Sequence, residues 1–188
     1  KRLDERYHRH TIAAKMTDVP SHTHAMVPYL AKAGIKYLHI GINGSSKLVK
    51  LPPLCRLRYG EDEIVLDYAA LYGASSVCGD TAMEFAHTPD NSGPPSPESV
   101  AAEMERLREK YPGAEIASGT MDEFAQVVLE HIDELPVVTE ELGDTWIHGV
   151  ATDPYKTAAY YELLRLRDEW EKEEPEAVDS PAWRDFCG

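Results

Sequence analysis

Carboxylate and imidazole side chains are concentrated in one short segment near the start of the chain, residues 18–24. Asp18 follows a mostly apolar run, and Pro20 stiffens the turn after it. His22 and His24 follow closely. An aspartate beside histidines can hold a divalent metal or transfer protons as a general acid or base. The spacing matches no strong metal motif, and the alternative is that Asp18 caps the next helix while both histidines face solvent.

A second carboxylate, Asp90, lies in the most loop-like stretch of the chain, residues 87–95, between Pro89 and Asn91. A carboxyl group on a proline-stiffened loop can act as a general acid. The same Pro-Asp-Asn sequence is also typical of an ordinary turn. The residue types alone favour the turn, and Asp90 becomes a candidate acid only together with a second group.

An indole ring stands close to an acid and an imidazole in residues 143–149, which contain Asp144, Trp146 and His148. An aromatic plane with neighbouring hydrogen-bonding groups suits stacking on a sugar ring and bonding to its hydroxyls. The alternative is a core tryptophan beside an incidental histidine. This loop is therefore a candidate substrate-binding segment.

Other common chemistries are not supported by the sequence. Cys55, Cys78 and Cys187 are far apart and form no CxxC pair, so we expect neither a disulfide framework nor a cysteine zinc site. We expect instead that the protein is in the reducing cytoplasm. The glycines of residues 41–44 are too weak a signal for a phosphate-binding loop. His8, His10, His39 and His131 are interpreted as surface or packing residues.

The composition describes a soluble globular chain: of 188 residues, 43% are hydrophobic and 28% charged. At about 150 residues per domain, this length predicts one domain. With 19 Lys and Arg against 33 Asp and Glu, the net charge of −14 argues against nucleic acid or an anionic membrane as the main partner. No run approaches the roughly 18–20 apolar residues of a membrane span. The sequence leaves open whether the chain forms a homo-oligomer.

Apolar periodicity and cap residues predict alternating strands and helices. A strand over 11–17, a helix over 24–33 ended by Gly34 and a strand over 35–40 form a strand-helix-strand unit, which is typical of a parallel sheet. Residues 54–59 and 63–68 flank Gly60 and predict a hairpin. Further strands are predicted over 81–86, 114–117 and 136–138, and further helices from 96 to about 111, from 120 to 130 and from 155 to 173.

This alternation predicts an α/β fold with a mainly parallel sheet and flanking helices. We expect one domain over residues 1–174, followed by an acidic, proline-containing segment over 175–188. Because the chain begins with Lys1 and with the end of a helix that leads into a strand, we expect it to be a fragment that lacks the first strands. Ligands in such folds meet the carboxyl ends of strands, which makes four loops the first candidates for a site: residues 18–24, 72–80, 87–93 and 145–153.

Three stretches of the chain carry a resemblance. Residues 17–23 (Thr-Asp-Val-Pro-Ser-His-Thr), 38–43 and 143–149 resemble an uncharacterised family of mannosidase-like proteins known as a domain of unknown function, and this likeness covers most of the chain. Residues 17–23 are also similar to the Asp-Pro-Phe-Gly-His-Ser segment of glycoside hydrolase family 38, the retaining α-mannosidases. The resemblance implies most of a seven-stranded (β/α) barrel of the family 38 type.

The resemblance also implies residue roles. Asp18 matches the residue that is both zinc ligand and catalytic nucleophile, and Asp90 matches the acid/base, with one of the two acids of the family's motif replaced. Tyr72 and Trp146 match residues that contact the sugar, and we add His22 and His148 to the expected substrate-binding set. The remaining zinc ligands of the family have no matching motif here, so they are expected outside this chain.

Three functions follow as hypotheses. The first is a zinc-dependent, retaining glycoside hydrolase acting on an α-mannoside, which requires the two carboxyl groups to converge to about 5–5.5 Å. The second is a zinc-dependent carbohydrate deacetylase, in which Asp18, His22 and His24 would share the metal. The third is a non-catalytic carbohydrate-binding or scaffold protein whose site has decayed.

Overall fold

The computed structural model describes residues 2–20, 22–46, 48–73, 75–88, 91–143 and 153–187. The chain divides into two compact units, Lys1–Asp144 and Thr145–Gly188. The first unit contains helices α1 (Arg2–Tyr7), α2 (Val27–Lys32), α3 (Pro97–Lys110) and α4 (Met121–Glu130). Its strands are β1 (Ala13–Asp18), β2 (Tyr37–Ile42), β3 (Leu54–Tyr59), β4 (Asp62–Ala69), β5 (Ser76–Cys78), β6 (Thr81–Met83) and β7 (Val137–Val138).

The main sheet has five strands in the order β1-β2-β4-β3-β7. β1 pairs with β2, β2 with β4 and β3 with β7 in parallel, whereas β3 and β4 form an antiparallel hairpin. Gly60 turns this hairpin at a φ of 61°, which a residue without a Cβ adopts without strain. The α/β class, the mainly parallel sheet and the flanking helices are therefore confirmed.

Local signals located the helices well. Ser96, Thr120 and Asp153 each accept a backbone N–H with their side chains and open α3, α4 and the later helix α5 (Pro154–Glu173) as predicted. The strand-helix-strand unit β1-α2-β2 and the β3-β4 hairpin are also present.

Two predictions about the strands are wrong. The alternation breaks between β2 and α3, where four strands follow one another. Residues 114–117 form no strand, because this stretch is mostly exposed and has no ladder partner among the described residues. The strand expected over 81–86 is shorter, and β6 pairs with β5 in a separate two-stranded sheet.

Alternation along the strands gives the main sheet two faces. The face that we call the α2 face packs on Val27, Leu30 and Ala31 of α2. The opposite face, called the α4 face, packs on Phe124, Ala125 and Val128 of α4. The buried strand residues of the α2 face are all apolar: Leu38, Ile40, Ile42, Cys55, Leu57, Ile64, Leu66, Tyr68 and Val138.

Helix α4 is tied to the start of β1. The Asp122 carboxylate accepts hydrogen bonds from the backbone N–H groups of Ile12 and Ala13 at 2.9 and 2.7 Å. Thr120 and Glu123 form a capping box that fixes the first turn of α4. The carboxylate is thus held by the helix start, and it positions the strand that ends at Asp18.

The second unit contains α5, a 3₁₀ turn at Pro175–Asp179 and α6 (Pro181–Cys187). Charge pairs line α5, such as Arg165 with Glu162 and Glu169. No helix in the described part of the chain is both long and apolar enough to cross a bilayer.

Candidate functional site

A cleft of about 340 Å³ opens at the carboxyl end of β1. This volume lies at the lower end of the range for small-molecule sites, which is about 300–1,000 Å³. Every described residue that lines the cleft carries a polar side chain: Lys15, Thr17, Asp18, Tyr72, His87, Thr88, Asn91 and Ser92. Each of these side chains can form hydrogen bonds, while apolar atoms supply more of the lining surface than polar atoms do, so the cleft suits a small ligand that presents both hydrogen-bonding groups and carbon faces.

Asp18 ends β1 with a φ of 83°, in the left-handed region that non-glycine residues rarely enter. This conformation interrupts the alternation of the strand, and both Thr17 and Asp18 line the cleft. Asn43 holds the residue at two points. Its backbone N–H donates to the Asp18 carbonyl at 2.9 Å, and its Nδ2 donates to Asp18 Oδ1 at 2.8 Å. The carboxylate is therefore oriented by an amide rather than left to rotate.

Tyr72 reaches the same amide from a strained turn. Leu71 and Tyr72 have φ values of 54° and 66°. The turn crosses directly over Gly41 of β2, where a Cβ would lie 2.3 Å from the Tyr72 carbonyl carbon. Only glycine allows this approach. Asn43 Nδ2 lies 3.2 Å from Tyr72 Oη, so one amide group bridges the phenol and the Asp18 carboxylate.

Three ionisable residues stand side by side on the α4 face. Lys15 of β1, His39 of β2 and Asp67 of β4 are neighbours in register. We call them the buried row. Lys15 Nζ lies 3.0 Å from His39 Nδ1 and donates to the Tyr72 carbonyl at 2.6 Å. It also stands 4.1 Å from the centre of the Phe85 ring, within the range of a cation–π contact.

The far end of the row is fully buried. Asp67 is 2% exposed and accepts hydrogen bonds from the hydroxyls of Tyr37 and Ser76. The Ser76 bond ties the β5-β6 hairpin to the main sheet. Burial raises the pKa of Asp67, while the two hydroxyl bonds and the charge of Lys15 act in the opposite direction.

Burial also decides the protonation of the other two members. It lowers the pKa of His39 to about 3, helped by the positive charges of Lys15 and His87, so the imidazole is neutral at physiological pH. A neutral ring can accept the Lys15 proton at Nδ1. Burial lowers the pKa of Lys15 as well, and Asp67 opposes that shift.

The structure places the expected site residues unequally. Asp18 and Tyr72 line the cleft together, and Thr88 and Asn91 line it from the loop that contains Asp90. Asp90 itself lies outside the described residues, as do Trp146 and His148.

His22 and His24 lie elsewhere. His22 forms an isolated bridge with Leu142, a residue of the α2-face core, and burial lowers its pKa. His24 Nδ1 pairs with Glu141 at 2.8 Å, and its ring stands edge-on to Tyr59. The deacetylase arrangement of two histidines with Asp18 is therefore not formed by these residues.

The described residues bring too few donor groups together for a zinc ion. Within the described residues, no three His, Cys, Asp or Glu side chains approach closely enough to hold a metal ion. Asp18 already accepts one hydrogen bond from Asn43. A zinc site requires three or four protein ligands, so these residues do not fit one by themselves.

Sequence reasoning missed Lys15, Asn43 and the two deeper members of the buried row. His39 is buried, as the packing half of its interpretation allows, and it also contacts the cleft lysine, which the sequence did not indicate. A signal was available: charged and imidazole side chains inside strands of a buried parallel sheet are unexpected unless they are paired.

Comparison with models of known families, with curated proteins and with solved structures found no match for this chain. The interpretation of the site accordingly depends on its own geometry. That geometry is a small polar cleft at a strand end, with one oriented carboxylate and a phenol sharing the same amide.

Proposed function

We propose that the cleft binds a sugar and that the protein is a retaining glycoside hydrolase, with an α-mannoside as the first substrate to test. One observation carries the proposal. The Asp18 carboxylate is held by Asn43 in a small polar cleft that the loop containing Asp90 also lines. A lining of this kind matches a ligand that presents both hydroxyl groups and carbon faces, as a sugar does.

The two carboxyl groups would divide the reaction. Asp18 attacks the anomeric carbon and displaces the leaving oxygen, which Asp90 protonates. The resulting glycosyl ester on Asp18 is then cleaved by a water molecule whose proton passes to Asp90. The acid and nucleophile are regenerated, and the sugar keeps its anomeric configuration. The hydrogen bond from Asn43 keeps one Asp18 oxygen in place for the attack.

Other residues would bind the sugar without changing bonds. Tyr72 contributes its hydroxyl beside Asp18, and Thr88, Asn91 and Ser92 offer further hydrogen-bonding groups from the opposite loop. Trp146 and His148 remain proposed sugar contacts, whereas His22 does not line the cleft. The larger framework that we propose is the seven-stranded (β/α) barrel, of which the five-stranded sheet would form part.

The resemblance of residues 17–23 to family 38 implies a zinc ion ligated by Asp18. The other ligands would come from outside the described residues. The roles proposed for Asp18 and Asp90 do not depend on the metal, because the described residues do not hold one by themselves.

Hydrolysis of 4-nitrophenyl α-mannopyranoside by the full-length protein, with and without added zinc, tests the proposal. We expect turnover that falls at least about 1,000-fold in Asp18→Asn, since the nucleophile is lost. Glu141→Gln is the matched control, because it removes a carboxylate outside the cleft. Equal thermal unfolding midpoints of Asp18→Asn and the wild type would exclude misfolding.

Two results would contradict the proposal that the protein is a glycoside hydrolase with Asp18 as its nucleophile. Wild-type protein that binds methyl α-mannoside without turning over the aryl substrate would indicate a non-catalytic carbohydrate-binding protein. Turnover that survives in Asp18→Asn would remove Asp18 from the reaction.

A further inference from the structure

Lys15 lies at the cleft, and its ammonium already contacts two acceptor atoms and one aromatic ring. A lysine ammonium has three N–H donors. One points to the Tyr72 carbonyl at 2.6 Å, one lies along the 3.0 Å contact to His39 Nδ1, and the Phe85 ring stands 4.1 Å away. With these contacts, the Lys15 ammonium has little hydrogen-bonding capacity left for a ligand. Its role therefore lies in the protein groups that it contacts.

What it holds is the Tyr72 turn. Two successive residues, Leu71 and Tyr72, are in the left-handed region, and such strain persists only when surrounding contacts impose it. The backbone supplies two contacts: the Tyr72 N–H donates to the Ile42 carbonyl, and the Gly73 N–H donates to the Ala70 carbonyl. Lys15 supplies a third, charged contact from a different strand, at the carbonyl side of Tyr72.

The rest of the buried row supports the charge of Lys15. His39 is neutral and accepts from the ammonium, and Asp67, deeper in the same face, raises the pKa of Lys15 against the effect of burial. Because His39 is 0% exposed, water cannot replace Lys15 as the partner of its Nδ1 without opening the sheet. The Lys15 ammonium, which donates to the Tyr72 carbonyl, is therefore also held in place by His39.

We propose that Lys15 is a positioning residue of the cleft: its ammonium holds the Tyr72 carbonyl, so that the Tyr72 hydroxyl and the Asp18 carboxylate share the Asn43 amide. The path runs from Lys15 Nζ to the Tyr72 main chain, and from the Tyr72 phenol through Asn43 Nδ2 to Asp18 Oδ1. Lys15 thus acts on the carboxylate without touching it. The inference deepens the proposed function by stating how the nucleophile's surroundings are held.

Amide hydrogen exchange on Lys15→Met tests this inference without any substrate. The amides of Tyr72 and Gly73 should exchange at least about tenfold faster than in the wild type, since loss of a charged hydrogen bond opens the turn locally. Amides in the middle of β2, such as Ile40, should change less than the turn. Lys32→Met, which removes an exposed lysine of α2, is the matched control and should change neither set.

A spectroscopic readout separates positioning from general destabilisation. With ¹³Cζ-labelled tyrosine, the Tyr72 signal should shift in Lys15→Met in the same direction as in Asn43→Ala, because both variants weaken the contact between the phenol and the amide. If Lys15→Met does not fold, ¹⁵N-lysine labelling of the wild type replaces it. A slowly exchanging Lys15 ammonium coupled to the Tyr72 carbonyl carbon is then expected.

Turn exchange within twofold of the wild type in Lys15→Met, an unshifted Tyr72 signal, or an uncoupled ammonium would each overturn the inference. Because none of these measurements uses a sugar, absence of hydrolysis would count against the proposed function alone.

Discussion

The two faces of the main sheet differ sharply although the same strands build both. On the α2 face, β2 contributes Leu38, Ile40 and Ile42, which pack in a continuous apolar core. On the α4 face, the intervening positions of β2 include His39, which stands between Lys15 and Asp67. Adjacent residues of β2 therefore have different roles. Leu38, Ile40 and Ile42 pack in the core, whereas His39 contacts Lys15 beside the cleft.

The difference has an energetic meaning. Burial of apolar side chains stabilises the fold directly, at about 25 cal/mol per Å² removed from water. Hydrogen bonds of a buried polar group offset the free-energy cost of removing that group from water, but only when all of its hydrogen bonds are formed. The row meets this condition at Asp67, where two hydroxyls donate. The α2 face should accordingly dominate stability, while the α4 face should dominate its dependence on pH.

The largest effect is expected on the α2 face. Ile40 is fully buried in its centre, so Ile40→Ala should lower the free energy of unfolding by about 2–5 kcal/mol, measured by urea denaturation. Met16 is the control, because it is the register neighbour of Ile40 on β1 and is 40% exposed. Met16→Ala should cost less than about 1 kcal/mol. Equal losses at the two positions would contradict the assignment of the core to this face.

The difference between the α2 face and the α4 face was only partly predictable from the sequence. The apolar runs of β1 and β2 and the caps at Ser96 and Thr120 act within a few residues, so periodicity and local chemistry located these elements. β6 lies within the strand predicted over 81–86, but β5 and its pairing with β6 were missed because β5 has only three residues, too few to show a period.

The candidate site shows the same limit. Asp18 and Tyr72 could be selected because they follow strands. Ionisable residues inside strands could have drawn attention to Lys15, His39 and Asp67, but their alignment could not be predicted, since it comes from the register between strands, which no local pattern encodes. Nor could the crossing of the Tyr72 turn over Gly41, which depends on the exact path of a loop.

A smaller effect is expected from His39 as the pH falls. Its folded-state pKa of about 3 lies below the ordinary value of 6.5. Above pH 6.5 the ring is neutral in both states and contributes nothing. Below it, the unfolded chain binds a proton that the folded protein does not, so stability decreases. This contribution alone should lower the free energy of unfolding by about 2 kcal/mol between pH 7 and pH 5.

Other groups titrate in the same range, so the measurement is a difference between two proteins. The raised pKa of Asp67 acts in the opposite sense, and the lowered pKa of His22 acts in the same sense. Subtracting the pH profile of His39→Gln from that of the wild type cancels both to first order. Parallel profiles would show that His39 is protonated as readily in the folded protein as in the unfolded chain. The claim that the α4 face dominates the pH dependence of stability would then be wrong.

The smallest effect is expected where α4 begins. The Thr120 hydroxyl accepts the Glu123 N–H, and Thr120→Ala should cost about 1 kcal/mol through loss of this cap. Thr120→Ser keeps the hydroxyl and should cost little. Because Asp122 in the same turn holds the N–H groups of Ile12 and Ala13, fraying of the cap should also speed hydrogen exchange at these two amides, with little change at Ile40. Uniform exchange across both faces would instead mean that α4 contributes only to global stability, and that the start of β1 is held by its pairing with β2.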